Sequence, residues 1–296
     1  MLFVAGVILI VVAMVIAAAN SHKPSPDDVA RAEAFSQQQF ARCMQGRFLA
    51  SKEPPPDFAT LEEFCRVAAA PAPAANMRLS DLALVTEHTG TFTILLGVAI
   101  AASLGGADWT AGTMTTLLTW EPRRIRVLLT RALVVVVVVS AVTIVLQALL
   151  IGAFGVGVAL RGTSLGTPPD EVRHAFEAAF RISAVAAAFG LVALAIATVG
   201  RSTVAALGVL FGYLVLFEGV IAGFRPSIQD RLLVRAGSVI VGQQPIYDMS
   251  GETSFVTGVS QQPILLGIHE AWVVLAFYVL ALVGLALLVF RARDVN

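Results

Sequence analysis

The chain has 296 residues, of which 57% are hydrophobic and 14% are charged, and its formal net charge is zero. Soluble globular domains carry about 25% charged residues, so the composition excludes a soluble fold and indicates a membrane protein. The balanced charge, without a large basic patch, argues against nucleic acid as a partner, and two cysteines exclude a disulfide-rich scaffold.

The chain opens with an apolar run at residues 2–19. Its length suits one membrane helix, which needs about 17 to 25 residues, so we predict a first, uncleaved transmembrane helix at 1–19. A cleaved signal peptide is the competing interpretation, because small residues end the run and polar residues follow. However, no Lys or Arg precedes the run, as a signal peptide would require.

Residues 20–80 are polar and predict an extracytoplasmic helical insertion. Ser25 is a good helix cap and Pro26 suits the first turn, so a first helix is expected to begin there. A capping box that starts at Thr60 predicts the beginning of a second helix. The two helices together predict a small helical hairpin outside the cell.

Cys43 and Cys65 lie one on each predicted helix of this insertion. A disulfide between them would cross-link the hairpin and, by chain-entropy arguments, stabilise it by about 3 kcal/mol. The bond requires an oxidising exterior, which agrees with an extracytoplasmic location. Two unpaired thiols are the alternative.

The remaining spans follow from long apolar runs. The second helix is predicted at 81–105 and the third at 132–160, where valine repeats are helical because a lone strand cannot satisfy its backbone in lipid. After them come an extracytoplasmic loop at 161–181, helices four and five at 182–223, an extracytoplasmic surface or re-entrant segment at 224–265, and helix six with a cytoplasmic tail at 266–296. The predicted fold is all-α: a polytopic membrane protein with about six transmembrane helices and a small extracytoplasmic helical hairpin.

The segment at 106–131 is the only strongly basic and amphipathic stretch between two long apolar runs. Met114, Leu117 and Leu118 recur at i, i+3 and i+4, which gives one apolar stripe on a short helix. Pro122 has no N–H to donate and suits the first turn of the helix that follows. The pattern predicts a short helix that lies on the cytoplasmic membrane surface.

This segment resembles the motif between the second and third membrane helices of type-2 (ABC-2) ABC transporter permeases. The residues that carry the resemblance are, in order, Asp108, Gly112, Thr113, Leu117, Leu118, Pro122, Arg123, Arg124 and Arg131. Family members usually begin the motif with Glu and end it with Lys, and Asp108 and Arg131 keep those charges. In that family the segment is the coupling helix, which sits in a cleft of a separate ATP-hydrolysing subunit.

The resemblance implies a non-catalytic permease subunit that moves a substrate outward across the bacterial plasma membrane. Its expected partners are two copies of an ABC ATPase subunit, a second copy of this permease or a related one, and membrane lipid. Neither Lys23 nor Lys52 lies in a phosphate loop, so ATP and Mg are expected in the partner subunit. We expect no cofactor or metal on this chain.

Orientation rests on the arginines near helix ends. The cluster beside the third helix, together with the resemblance, places both termini in the cytoplasm. The alternative function is a membrane-anchored sensor or assembly protein, whose extracytoplasmic hairpin binds a partner while the Arg-rich loop contacts lipid.

Five ionisable residues lie near the predicted outer helix ends: Glu87, His88, Glu218, His269 and Glu270. Ionisable groups at membrane depth suggest function, so these residues are predicted to line an outer translocation route. Carboxylates and imidazoles of this kind also bind metals or pass protons. The plainer alternative is that they face water at the helix ends.

A glycine stripe on the fifth predicted helix has spacings of four, seven and four, and consists of Gly208, Gly212, Gly219 and Gly223. Small residues let helices approach closely, so the stripe predicts helix packing within the subunit or across a dimer. Ordinary glycine frequency in membrane helices is the alternative.

Overall fold

Most of the described chain is helical. The structure is a computed structural model that describes residues 16, 19–45, 60–71, 77–113, 124–221, 224, 226–247 and 264–292. The helices are α1 (Pro26–Met44), α2 (Leu61–Ala68), α3 (Leu82–Thr110), α4 (Arg124–Arg161), α5 (Glu171–Gly200), α6 (Thr203–Tyr213), α7 (Leu233–Gly242) and α8 (Ile268–Ala292). Shorter elements are 3₁₀ turns at Leu79–Asp81 and Pro226–Arg231, a π-helix at Leu214–Ile221, and the strands β1 (Ile246–Tyr247) and β2 (Ile264–Leu266).

Five stretches of the described residues are helical, long enough and apolar enough to cross a membrane. They are Leu79–Trp109, Ile125–Arg161, Glu171–Gly200, Thr203–Val220 and Ile268–Ala292. The chain is therefore an all-α, multi-pass membrane protein, as its composition predicts. The predicted first helix at 1–19 lies almost entirely outside the described residues.

The long helices run in alternating directions between two ends of the bundle. At one end the start of α3 meets the end of α4 and the start of α5: Leu79 N–H donates to Thr163 O (3.0 Å), and Ala83 N–H donates to the Glu171 carboxylate (2.8 Å). We call this the insertion end, because the polar residues before α3 connect here. The opposite end contains Trp109, and we call it the Trp109 end.

Helix α5 is the centre of the bundle and packs against α3, α4, α6, α7 and α8. Its buried face is rich in alanine, including Ala178, Ala186 and Ala193, and small side chains allow close helix approach. Glycines of α3 complete the contact: a Cβ at Gly90 would lie 2.6 Å from Ile182 Cδ1, and one at Gly105 would lie 2.9 Å from Leu194 Cδ1.

A buried side-chain hydrogen bond links two spans in the bundle interior. Gln147 of α4 is fully buried, and its Nε2 donates to Thr93 Oγ1 of α3 at 3.0 Å. Such bonds between membrane helices contribute about 0.6 to 2 kcal/mol. The bond fixes the relative rotation of α3 and α4 halfway along the bundle.

The predicted boundaries of α3, α4 and α5 are wrong. Helix α4 begins at Arg124, about two turns before the predicted start at 132, and α5 begins at Glu171, so the loop ends about three turns before the predicted end at 181. The extra turns of α5 are amphipathic, because the alanines at 175, 178 and 179 are buried whereas Arg173 and Glu177 are exposed. Helix α3 continues to Thr110, past the predicted end at 105, because its terminal glycines are held by packing against α5 and the start of α6.

The segment after α6 combines a π-helix, a short buried helix and two strands. Helix α7 lies in the predicted surface or re-entrant segment at 224–265, but most of its side chains are buried against α5 and α8. Strands β1 and β2 pair antiparallel, with Ile246 opposite Leu266, and are a small exception to the all-α prediction. The buried apolar residues of α7 therefore belong to the bundle interior.

Helices α1 and α2 form a cross-linked helix pair before the spans. The Ser25 side chain accepts from Asp28 N–H at 3.2 Å, and the Asp28 carboxylate accepts from Ser25 N–H at 3.0 Å, a reciprocal capping box. The Ser25 hydroxyl also donates to the Asp28 carboxylate at 2.7 Å, and this bond, together with the one from Ser25 N–H, lowers the pKa of the Asp28 carboxyl below its ordinary value. Thr60 caps α2 as predicted, and Cys43 and Cys65 are joined by a disulfide.

Candidate functional site

The two charged ends of the basic segment meet at the Trp109 end of the bundle. Asp108, in the last turn of α3, forms an ion pair with Arg131 of α4, whose side chain is only 16% exposed. Thr113 Oγ1 donates to the other oxygen of the same carboxylate at 3.2 Å. The first and last charges of the motif are therefore bonded to each other across two spans, which sequence spacing alone did not predict.

Trp109 extends this junction to two more elements. The guanidinium of Arg201, in the turn between α5 and α6, lies 4.8 Å from the centre of the Trp109 ring. Phe290 of α8 packs edge-on against the same ring, with centroids 6.2 Å apart. A cation over an indole face contributes about 0.5 to 2 kcal/mol. Trp109 of α3 therefore contacts both the α5–α6 turn and α8, so a displacement of its ring would be transmitted to all three elements.

Gly106 brings α3 unusually close to this turn. A Cβ on Gly106 would lie 2.3 Å from the backbone nitrogen of Thr203, so only glycine permits the observed approach. The turn itself is tight: Arg201 adopts a left-handed conformation with φ of 51°, and Ser202 caps α6. The Trp109 end is consequently a closely packed junction.

The junction borders a groove of about 400 Å³ between the end of α3 and the start of α4. Asp108, Arg126 and Arg131 supply its charged wall, while Leu104, Val127 and Val134 supply its apolar wall. The groove is lined in part by described residues of the predicted coupling segment.

The other residues of the motif divide into described and undescribed positions. Gly112 has a φ of +71°, a left-handed conformation that side chains rarely adopt, which explains the glycine in the turn after α3. Arg124 begins α4, and only its backbone is described. Leu117, Leu118, Pro122 and Arg123 lie outside the described residues.

A second candidate site lies at the insertion end. It is a cavity of about 440 Å³ between α3, α5 and α7, and we call it the upper cavity. Glu87, His88, Ser238 and Gln244 form its polar part. Two of the five ionisable residues predicted for the translocation route therefore lie together on one cavity wall.

Glu87 is held by an arginine that the sequence did not single out. Glu87 Oε1 lies 3.6 Å from Arg181 Nη2, and Arg181 Nε–H donates to Val241 O at 3.2 Å. Arg181 thereby joins α3, α5 and the carboxyl end of α7. The sequence offered little indication of this role, because the prediction placed Arg181 at the end of a polar loop.

The remaining predicted route residues lie away from the upper cavity. Glu218, in the π-helix, accepts from Val234 N–H of α7 at 2.6 Å. His269 and Glu270 are exposed in the first turn of α8, where Glu270 accepts from Gly267 N–H at 2.5 Å. Among the described residues, no three His, Cys, Asp or Glu side chains come together as a metal site.

Tyr213 is a further residue that sequence reasoning missed, because it stands inside an apolar run. Its hydroxyl accepts from Leu233 N–H at 3.0 Å, next to the bond from Val234 to Glu218. The two side chains satisfy backbone donors that the first turn of any helix leaves unpaired. Together with Arg181, they hold α7 at both of its ends.

The predicted glycine stripe does not pack against another part of the described chain. No atom lies within 4 Å of a Cβ placed on Gly208 or Gly212, and the nearest atom to Gly219 belongs to its own helix. Gly223 lies outside the described residues. Within the described residues nothing packs against these three positions, so packing of the stripe stays a prediction, and the closely packed glycines of the described chain include those on α3.

No protein-family model, curated protein or solved structure matches this chain. The functional argument consequently depends on the two sites just described, the junction at the Trp109 end and the upper cavity at the insertion end.

Proposed function

We propose that this chain is the permease subunit of an ABC transporter of the type-2 class. In this proposal six spans, including one at 1–19, carry cargo outward across the bacterial plasma membrane. Two copies of a separate ATPase subunit bind ATP and Mg and supply the energy, and a second permease copy or a related permease completes the complex. This chain transmits movement and performs no catalysis.

The ion pair of Asp108 and Arg131 is the observation that carries the proposal. The ion pair connects the two ends of the basic segment to each other. A force applied to the residues between Asp108 and Arg131 is therefore transmitted to α3 and α4 together. Trp109 passes the same displacement to α8 and to the α5–α6 turn. A loop that only contacted lipid would have no need of such a connection to the spans.

Charge and redox chemistry support the orientation. Arg126 and Arg131 of the basic segment lie at the Trp109 end, and arginines concentrate on the cytoplasmic side of membrane proteins. The insertion end carries the disulfide of Cys43 and Cys65, which needs an oxidising compartment. Both features favour a cytoplasmic Trp109 end and an extracytoplasmic helix pair.

A sensor or assembly protein is the second candidate function, and one observation favours it. The cross-linked helix pair exposes three large apolar side chains: Phe35 is 59% exposed, Val67 50% and Met44 43%. Exposed apolar groups on a disulfide-bonded unit suit the binding of a partner protein. The two candidate functions predict different proteins bound to the purified chain: an ATPase for the transporter, and another partner protein for the sensor.

The deciding experiment is recovery of the full chain from its own membranes in mild detergent, followed by mass spectrometry of associated proteins and an ATPase assay. We expect a phosphate-loop ATPase to accompany the protein. Arg123→Glu combined with Arg124→Glu should abolish its recovery, because the docking surface reverses its charge.

The matched control is Arg161→Glu combined with Arg173→Glu. Arg161 and Arg173 are both exposed beside the α4–α5 connection at the insertion end, so this variant makes the same charge change away from the docking segment. It should retain the ATPase. Equal recovery of the ATPase with both double variants, or its absence from the unaltered protein, would overturn the proposal.

A further inference from the structure

A second cavity adjoins the upper cavity and continues it toward the middle of the bundle. This lower cavity has a volume of about 260 Å³ and lies between α3, α5 and α6. The two cavities share Leu95, Phe189, Leu214 and Val234 in their walls. The two cavities are therefore adjacent, and we call them together the groove. Sites for small molecules commonly have about 300 to 1,000 Å³.

Polarity changes along this groove. The acidic, imidazole and amide groups belong to the upper cavity, whereas the lower cavity is lined by apolar side chains and Tyr213. The Tyr213 hydroxyl accepts from Leu233 N–H. On α3, Glu87 lies at the polar end and Val98 at the apolar end, and a rise of about 1.5 Å per residue separates them by about 16 Å. The groove is polar at the insertion end and apolar deeper in the span.

The groove also opens sideways between α3 and α6. Leu95, Leu214 and Phe211 line it and are respectively 51%, 41% and 68% exposed. In a multi-pass membrane protein, side chains exposed at this depth face the hydrocarbon of the bilayer. An apolar chain can therefore enter from the membrane without crossing water.

Two opposite charges lie side by side at the polar end. Glu87 lines the upper cavity, and Arg181, which is not part of the lining, lies beside it with Nη2 3.6 Å from Glu87 Oε1. The pair has no net charge, and each side chain is about one quarter exposed. A head group with an ammonium and a phosphate complements both members of such a pair. A purely anionic head group would meet the Glu87 carboxylate, and a purely cationic one would meet the guanidinium.

We propose that this groove binds a single-chain amphiphile with a zwitterionic head group. The head lies at Glu87 and Arg181, and the acyl chain extends along α6 toward Leu210. That such amphiphiles are the transported cargo rests on the proposed function, whereas their binding does not require an ATPase.

The test uses the purified full chain and lysophosphatidylethanolamine that carries a photoreactive diazirine in its acyl chain. We expect cross-links on the facing parts of α3 and α6, and competition by unlabelled lysophosphatidylethanolamine. Leu210→Trp fills the apolar end and should reduce the labelling at least tenfold. Leu207→Trp, at the same end, serves if the first variant does not fold.

Val137→Trp is the matched control, because Val137 is 58% exposed on α4 and lies outside the lining of both cavities. Its labelling should equal that of the unaltered protein. Glu87→Gln leaves the guanidinium as the only charge, so preference should shift from lysophosphatidylethanolamine to lysophosphatidylglycerol.

Labelling spread evenly over all lipid-facing helices, or unchanged by Leu210→Trp, would overturn the proposal. So would cross-links between two copies of the chain at Leu95 and Phe211, since a second copy would then occupy the groove. Recovery of the ATPase without specific labelling would contradict amphiphile binding but not the transporter proposal. Specific labelling without any ATPase would contradict the transporter proposal but not amphiphile binding.

Discussion

At the level of single residues, local sequence rules performed well where the interaction is local. Ser25 and Thr60 cap the helices that they were predicted to cap, because a cap involves backbone only three residues away. Arg181 and Tyr213 were missed, because each bonds to backbone that is distant in sequence, at Val241 and Leu233. No spacing rule on a single chain reports such contacts.

The glycines also show that sequence spacing does not report contacts between distant parts of the chain. Spacing alone singled out the stripe on α6, yet Gly208 and Gly212 contact nothing in the described chain, whereas Gly90, Gly97 and Gly105 of α3 are tightly packed. The separations of seven and eight residues on α3 would have supplied a signal. Spacing identifies a smooth helix face, but only the fold shows whether another helix covers it.

Gly106→Ala should destabilise the protein by about 1 to 3 kcal/mol, because the new methyl group would overlap the backbone nitrogen of Thr203. Gly152→Ala is the matched change, since no atom lies within 4 Å of the Cβ position there. We expect that variant to be neutral or slightly more stable, because alanine favours helix. Thermal unfolding midpoints in one detergent compare the two, and equal midpoints would contradict the predicted overlap.

At the level of elements, α7 is held by opposite charges at its two ends. Glu218 lies at the amino end, where the helix dipole is positive, and Arg181 lies at the carboxyl end, where the dipole is negative. Six of the ten residues of α7 are buried, and Glu218 and Arg181 bind the backbone at its two ends. The sequence predicted a surface or re-entrant segment here, but not these contacts, because both partners are distant in sequence.

Glu218→Ala should loosen the first turn of α7, because Val234 N–H loses its acceptor. Removing a capping acceptor costs about 1 kcal/mol, which corresponds to roughly fivefold faster amide exchange through local opening. Hydrogen–deuterium exchange of peptides covering residues 233–242 measures this. Glu177→Ala is the control, because Glu177 pairs with Arg173 on the exposed face of α5. Equal exchange in the two variants would exclude a capping role for Glu218.

At the level of the whole molecule, hydropathy was sufficient for the class of protein and for most spans. Apolar runs define the helices that cross the membrane, because lipid leaves the backbone no alternative. They do not reveal that α5 is central and α6 peripheral, since both are similarly apolar. That difference lies in side-chain size: α5 is rich in alanine, while α6 exposes Val204, Val209 and Phe211.

The alternating path of the helices predicts opposite locations for two exposed positions. A cysteine at Asp170 lies at the insertion end, and one at Ala111 lies at the Trp109 end. In intact cells, a membrane-impermeant maleimide should label Asp170→Cys, and it should label Ala111→Cys only after permeabilisation. The native cysteines are bonded to each other and do not react. Labelling of both positions from one side would contradict the arrangement.

The length of α4 has a consequence for the membrane itself. Its 38 residues extend over about 57 Å, and the uncharged part at 132–160 extends over about 43 Å, whereas the hydrocarbon core of a bilayer is about 30 Å thick. This hydrophobic mismatch must be relieved by a strong tilt of the helix or by local thickening of the bilayer. Because α4 extends from the basic segment to the insertion end, a change in lipid acyl-chain length would change the tilt of α4 and so the relative position of the two ends of the bundle.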